Sequence, residues 1–293
     1  MKPTDTPFKP LRALLAAGIV LAGVPALTTA AGAGHQLDLW PKIQSPAVKP
    51  EVEEQVEVLL QQMTLEEKVG QIMQPEIQSI TPEEVKKYHI GSVLNGGGSI
   101  PGRKENAGPD DWLALADAFW EASMDTSDGG TAIPVIWGTD AVHGNGNLTG
   151  ATLFPHNIAL GATNNTDLVR AIGAATAREV RTTGVEWVFA PTLAVAQNDF
   201  WGRTYESYSE NPNIVKRFAS AMVEGLQGSV SSDDFLAETR VLASAKHFLA
   251  DGGTFEGDDQ GDARISEQEL VQVHNAGYPP AIQSGAQTIL ASF

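Results

Sequence analysis

The sequence predicts an α/β fold in which parallel strands form most of a (β/α)8 barrel of the TIM type, truncated after about six strands. Two observations support this. Short apolar segments that end in Gly, Asn or a polar cluster alternate with longer segments whose apolar residues recur at helical spacing. Polar residues also follow several of the apolar segments directly, which is where a barrel carries its functional groups. An open nucleotide-binding sheet is disfavoured, because the glycines at 96–98 lack both the dinucleotide spacing and a P-loop lysine.

The first segment, residues 1–33, has the pattern of a signal peptide. Lys2, Lys9 and Arg12 precede an apolar stretch at 14–24, and small residues follow at 29–33. A retained membrane anchor is the alternative, but the apolar stretch is short for one. We therefore expect export to the periplasm or the medium, with no membrane attachment after cleavage. The chain has no cysteine, which excludes a disulfide scaffold and a lipoprotein anchor.

Residues 34–50 are rich in proline and predict an extended lead-in, and residues 51–293 predict one barrel domain. Helix patterns begin at Val52, at Thr64 with Glu67 as its capping partner, at Asn211-Pro212, and at Ser266 with Glu269. The strand candidates between them are 70–73, 91–94, 133–137, 187–190, 241–245 and 288–293.

The charge balance restricts the kinds of partner. The formal net charge is −17, and removal of the signal peptide makes it about −19. Such a surface repels nucleic acid and anionic lipid, so no nucleic-acid partner is expected and a neutral substrate is favoured.

Four polar residues at the ends of predicted strands are the candidate binding residues: Asp140, Arg203, Lys246 and His247. In a barrel these positions converge on one mouth, where acceptor and donor groups could surround a sugar, whose hydroxyls both donate and accept hydrogen bonds. Trp137 and Trp201 lie nearby in the sequence and could cover the apolar face of a sugar ring.

Each candidate also has a local structural interpretation. Asp140 could cap a helix, Arg203 could pair with Glu206, Lys246 could pair with Asp251, and His247 (like His143) could be a satisfied core histidine. A metal site is disfavoured, because the histidines and acids show no ligand spacing typical of one helix face.

Five ordered segments resemble glycoside hydrolase family 3. They are 63–71, which is similar to the opening of that family's barrel, 133–144, 200–210, 245–248, and the strand-like 288–293. The similarity extends over nearly all of the chain after the predicted signal peptide. The resemblance implies that Asp140, Arg203, Lys246 and His247 hydrogen-bond the glycosyl unit that is cleaved.

The resemblance further implies a retaining mechanism with two carboxylates and no cofactor or metal. In the family the nucleophilic Asp follows one strand beyond the segment that ends here at Phe293, and the acid/base Glu comes from a later domain. Both are therefore expected downstream of Phe293, and residues 34–293 alone are expected to be inactive. The β-N-acetylglucosaminidase branch carries an Asp-His dyad in the loop that here spans 248–259, and this loop has no His.

The resulting expectation is a β-glucosidase or exo-β-glucanase that releases glucose from the non-reducing ends of β-glucans or oligosaccharides. Two alternatives stay open: a β-glucoside-binding protein without catalysis, and a family member that acts on β-xylosides.

Overall fold

The computed structural model describes residues 37–44 and 49–292. Its centre is a five-stranded parallel sheet in the order β1-β2-β3-β4-β5. The strands are β1 (Ser92–Asn95), β2 (Ile136–Thr139), β3 (Trp187–Val188), β4 (Leu242–Phe248) and β5 (Thr288–Ala291). The helices are α1 (Pro50–Gln62), α2 (Leu65–Gln71), α3 (Pro82–Lys87), α4 (Pro109–Met124), α5 (Asn157–Ala162), α6 (Thr166–Arg181), α7 (Pro212–Gln227), α8 (Glu267–Glu269, continued by a π-helical turn over Leu270–His274) and α9 (Tyr278–Gln283).

Each strand pairs with the next strand along the chain, and helical segments connect them. Ser92 is in register with Ile136, and Ser244 is in register with Thr288. Parallel strands require such crossover connections. The arc of parallel strands with crossover helices confirms the predicted fold class, that of part of a (β/α)8 barrel.

The number of strands differs from the prediction, because the first candidate is not a strand. Residues 70–73 form the end of α2 and a turn. A Cβ atom on Gly70 would lie 2.0 Å from the carbonyl oxygen of Tyr88, so this end of α2 packs directly against the backbone that follows α3. A single parallel bridge between Glu76 and Leu94 flanks β1 instead.

Three of the four predicted helix starts are confirmed by their caps, whereas the helix predicted from Val52 begins at Pro50 without a side-chain cap. The Thr64 side chain accepts from the Glu67 N–H, and the Glu67 carboxylate accepts from the Thr64 N–H, which completes a capping box. Asn211 caps α7 ahead of Pro212, and Ser266 accepts a hydrogen bond from the N–H of Glu269.

The core lies between the sheet and the helices. Trp137 of β2 contacts Phe119 and Trp112 of α4, with ring centroids 5.8 and 5.5 Å away. Helices α6 and α7 pack closely where Gly173 faces Gly225. The apolar side of α7, predicted from its periodicity, is buried as expected: Val215, Phe218, Met222 and Leu226. By contrast, α1 has no buried residue and exposes Val52, Val56 and Leu60.

The predicted signal peptide lies outside the described residues, as do 34–36 and 45–48 of the predicted lead-in. The described part of the lead-in contains a short 3-10 helix, Leu37–Leu39. Among the helices of residues 37–44 and 49–292, none combines the length and the apolar character that crossing a bilayer requires.

Candidate functional site

All four predicted binding residues lie at the carboxyl end of the sheet. Asp140 directly follows β2, and Arg203 lies in the loop after β3. Lys246 and His247 lie within β4 rather than after it, because β4 extends to Phe248. Parallel strands bring their carboxyl ends to one edge of a sheet. There Asp140 and Lys246 form one ion pair, and Arg203, next to His247, forms a second with Glu206.

The first pair joins β2 to β4. The Nζ of Lys246 lies 2.6 Å from Oδ1 of Asp140, with side chains that are 6% and 44% exposed, respectively. The ammonium group has therefore lost most of its water, and the Asp140 carboxylate is its ion-pair partner. Since only Oδ1 is within bonding distance of Lys246, Oδ2 of the half-exposed carboxylate can still accept a hydrogen bond from a ligand.

The second pair is Arg203 with Glu206, a two-point contact. Nε and one terminal nitrogen of Arg203 donate to the two oxygens of Glu206 at 2.8 and 2.9 Å. Burial raises the pKa of Glu206, but the hydrogen bonds from Arg203 and the charges of Arg203 and Lys246 outweigh it and lower this pKa below its usual value. Glu206 therefore remains ionised at neutral pH.

His247 connects the Arg203 side of the site to a turn after β4. Its Nδ1 lies 2.8 Å from Oδ2 of Asp251, and its Nε2 lies 3.2 Å from a terminal nitrogen of Arg203. Asp251 is buried at the start of the 3-10 turn Asp251–Gly253. The neighbouring loop holds this turn, because the Gln197 N–H donates to the Gly252 carbonyl oxygen at 2.9 Å.

Glycine makes that contact possible. A Cβ atom on Gly252 would lie 2.6 Å from the carbonyl oxygen of Val195, and one on Gly253 would lie 2.4 Å from the His274 ring. Both distances are shorter than real Cβ contacts, so the turn can approach its neighbours this closely only with glycine at the two positions.

The two tryptophans predicted to cover a sugar do not reach the site. Trp137 is 3% exposed and donates to Oδ1 of Asn95, and Trp201 is 2% exposed and donates to Asp259. That prediction was wrong. The most exposed aromatic residue of the Arg203 loop is instead Phe200, at 89%, ahead of Tyr205 at 44%, and no sequence pattern indicated its exposure.

The structure supports some of the local structural interpretations of the candidate residues and contradicts others. Lys246 pairs with Asp140 and not with Asp251, while Arg203 does pair with Glu206. The Nδ1 of His143 lies 2.6 Å from the carbonyl oxygen of Phe154, and the His143 ring packs against His156 at a tilt of 38° with centroids 3.8 Å apart, which fits a structural histidine. Within residues 37–44 and 49–292, no group of three or more acids and histidines is arranged to hold a metal ion.

Glu206 and Asp251 are the site residues that the sequence did not single out. The sequence suggested Glu206 and Asp251 only as local ion-pair partners of Arg203 and Lys246. In the structure Glu206 contacts Arg203, and Asp251 contacts His247. Their spacings, Arg203 to Glu206 and His247 to Asp251, are three and four residues, which is the only signal that could have indicated the contacts.

Comparisons with known proteins identify the family and several relatives of this chain. Residues 64–293 match the family described as "Glycosyl hydrolase family 3 N terminal domain". The chain is 31% identical over 251 residues to a lysosomal beta glucosidase of Dictyostelium discoideum, covering 80% of this chain and 30% of that protein. It is 25% identical over 239 residues to a periplasmic beta-glucosidase of Salmonella typhimurium, covering 80% and 28%.

Among solved structures, the chain is similar to an exo-1,3/1,4-beta-glucanase from a Pseudoalteromonas species. The TM-score is 0.84 at 52% identity, and the match covers 86% of this chain and 32% of that chain. The chain thus spans about a third of the length of the relatives it matches.

Proposed function

The chain belongs to glycoside hydrolase family 3, and from this premise we propose that the protein hydrolyses β-glucosidic bonds and releases glucose from the non-reducing ends of β-glucans or oligosaccharides. The observation that carries the proposal is the convergence of Asp140, Arg203, Lys246 and His247 at one edge of the sheet. The relatives described above, two β-glucosidases and an exo-1,3/1,4-β-glucanase, support glucose as the sugar.

The proposed binding residues offer both kinds of hydrogen-bonding group. Lys246 and Arg203 donate, and Asp140 accepts. A glucose hydroxyl can accept from a donor and donate to an acceptor, so a ring of such groups suits a neutral sugar with several hydroxyls. Each of the three carboxylates of the site has a basic partner: Asp140 faces Lys246, Glu206 faces Arg203, and Asp251 faces His247. These contacts keep the net charge of the site near zero.

The proposal places the two catalytic carboxylates downstream of Phe293, as the family resemblance implies. One supports a covalent glycosyl intermediate and the other transfers the proton. The local chemistry supports this placement. A general acid needs a proton to give near neutral pH, and the lowered pKa of Glu206 keeps that carboxylate ionised. Asp140 in turn is held by Lys246.

The test is to assay the complete protein on p-nitrophenyl β-glucoside, with the β-xyloside and the N-acetyl-β-glucosaminide as comparison substrates. We expect hydrolysis of the glucoside with the largest kcat/KM. Binding of glucose without turnover would instead support the non-catalytic binding protein, and preference for the xyloside would support the other alternative.

The same assay applied to residues 34–293 alone tests the placement of the catalytic groups. We expect turnover at least a hundredfold below that of the complete protein, because loss of a covalent nucleophile removes several orders of magnitude in rate. Comparable turnover would require a nucleophile within this chain.

A further inference from the structure

Four side chains of the site form one continuous line of hydrogen bonds. Asp251 contacts Nδ1 of His247, Nε2 of His247 contacts Arg203, and Arg203 contacts Glu206 through two nitrogens. The imidazole is thus the central group, with a carboxylate on one side and a guanidinium group on the other.

The two neighbours of His247, Asp251 and Arg203, determine which ring nitrogen carries the proton. A carboxylate can only accept, so the short contact at Nδ1 requires a proton on that nitrogen. A guanidinium group can only donate, so the contact at Nε2 requires a lone pair there. The arrangement is therefore satisfied by the neutral imidazole with its proton on Nδ1, and by neither of the other two forms.

We propose that Asp251 is a positioning residue that holds His247 in the Nδ1–H form, and that it thereby makes Nε2 a hydrogen-bond acceptor in the binding site. A group that reaches Nε2 must then be a donor, such as a sugar hydroxyl. This assignment rests on the proposed function only where it names the sugar, because the proton position follows from the contacts alone.

The surroundings of Arg203 and Asp251 keep both side chains in contact with His247. Both oxygens of Glu206 are bonded to Arg203, which keeps the guanidinium group in place beside His247. Asp251 is buried, and its turn is held against Val195 and His274 at the two glycines described above. With both neighbours fixed, a proton on Nε2 would face the N–H groups of Arg203, and Nδ1 would face the carboxylate without a proton.

The assignment divides the site into donors and acceptors. Lys246 and Arg203 donate, and Oδ2 of Asp140 and Nε2 of His247 accept. Arg203 already uses the lone pair of Nε2, so a ligand hydroxyl must share or replace that contact. Exchange of Asp251 for a group that also donates would remove the acceptor at Nε2 from part of the molecules.

The first test reads the proton position in the unsubstituted protein and uses a variant only for signal assignment. The full chain is labelled with ¹⁵N-histidine, and long-range ¹H–¹⁵N correlation at mildly alkaline pH reports which ring nitrogen carries the proton. His247→Asn assigns the signals among the six histidines of the sequence. We expect a protonated Nδ1 and an unprotonated Nε2. The opposite pattern, or averaged shifts for both nitrogens, would overturn the proposal.

The second test is Asp251→Asn, which keeps the size but can donate to Nδ1 as well as accept from it. We expect mixed ring-nitrogen shifts for His247 and a Kd for glucose about tenfold higher, the usual effect of losing one good hydrogen bond. Asp262→Asn is the matched control, because that carboxylate is exposed in the same loop region and pairs only with Arg264 among the described ion pairs. We expect it to behave as the unsubstituted protein.

The outcomes separate the two proposals. An Asp251→Asn protein with unchanged His247 shifts and unchanged Kd would overturn the positioning role. A protonated Nδ1 in a protein that neither binds glucose nor cleaves β-glucosides would support the positioning role while removing the proposed function. If Asp251→Asn does not fold, the spectrum of the unsubstituted protein still decides.

Discussion

At the scale of single residues, the Lys246–Asp140 pair is unequal in its exposure to water. The ammonium group is buried, while the carboxylate is half-exposed. Removal of the carboxylate would leave a buried charge without compensation, which is far more costly than the loss of an exposed one. Loss of the Asp140 carboxylate should therefore destabilise the fold more than loss of the Lys246 ammonium group.

Asp140→Asn removes the negative charge opposite Lys246 but keeps a hydrogen-bond acceptor for it. The amide oxygen of asparagine can still accept from Lys246, so we expect the fold to be retained at reduced stability. The charge-assisted bonds to a sugar are lost, and these are worth about 1.5–3 kcal/mol. We expect kcat/KM for p-nitrophenyl β-glucoside to fall at least tenfold in the complete protein, with a lower Tm but without loss of the folded state.

The control for this variant is Asp167→Asn, which makes the same chemical change on the exposed carboxylate of α6 that pairs with Arg170. It should leave the kinetics unchanged. Kinetics of Asp140→Asn equal to those of the unsubstituted protein would remove Asp140 from the site.

The residue types at strand ends were predictable, but the direction of neighbouring side chains was not. Asp140, Arg203, Lys246 and His247 are brought together as expected. Trp137 lies three residues before Asp140, yet it belongs to the sheet side that faces α4, because successive strand residues point to opposite faces. A one-residue difference in register decides such a question, and sequence spacing alone does not supply the register.

At the scale of elements, Glu67 joins two distant segments at the start of α2. Its carboxylate accepts from the N–H of Thr64 at 2.6 Å and from the N–H of Thr131 at 2.7 Å. These backbone hydrogen bonds lower the pKa of Glu67 from its usual 4.5 to about 2, even though burial opposes the shift. The capping box thus also anchors the segment that leads into β2.

Glu67→Gln should destabilise the protein in a pH-dependent way. A carboxylate whose pKa is lower in the folded state stabilises the fold above its unfolded pKa of about 4.5, and this contribution is lost as the pH falls toward about 2. We expect a loss of about 2 kcal/mol at neutral pH, typical of hydrogen bonds to a charged group. The difference should shrink steadily between these two pKa values.

Chemical denaturation over a series of pH values measures this difference. Glu66→Gln is the matched control, since Glu66 is exposed at the adjacent position of α2. Equal effects of the two substitutions, or a difference that does not change with pH, would contradict the role given to Glu67.

The elements differ in how well their sequence signals determine them. Helix α7 combines an Asn-Pro start with four apolar residues at helical spacing, and both signals agree. Residues 70–73 offered only a short apolar run, which a strand and a helix end share. The packing of Gly70 against the Tyr88 backbone, which decides in favour of the helix end, depends on a contact that lies outside any local pattern.

At the scale of the whole molecule, the N-terminal pattern leads to a prediction of export. Relatives that are named as periplasmic and lysosomal are consistent with it. We propose that the mature protein begins near Gly34, and N-terminal sequencing of the exported protein should show that start. Recovery of the protein with an intact Met1 from a membrane fraction would count against export.

Because each strand pairs with the next strand along the chain, the strands become available for pairing in the order of their synthesis. Asp140 and Lys246 are 106 positions apart in the chain, and they meet only through β2 and β4. At about 5–20 residues per second, the ribosome releases Asp140 roughly 5–20 s before Lys246. During that interval the sheet can already extend from β1 through β3, while the Asp140 carboxylate stays hydrated and has no partner in β4. The order of synthesis therefore permits the β1 to β3 framework to form before the charge pair.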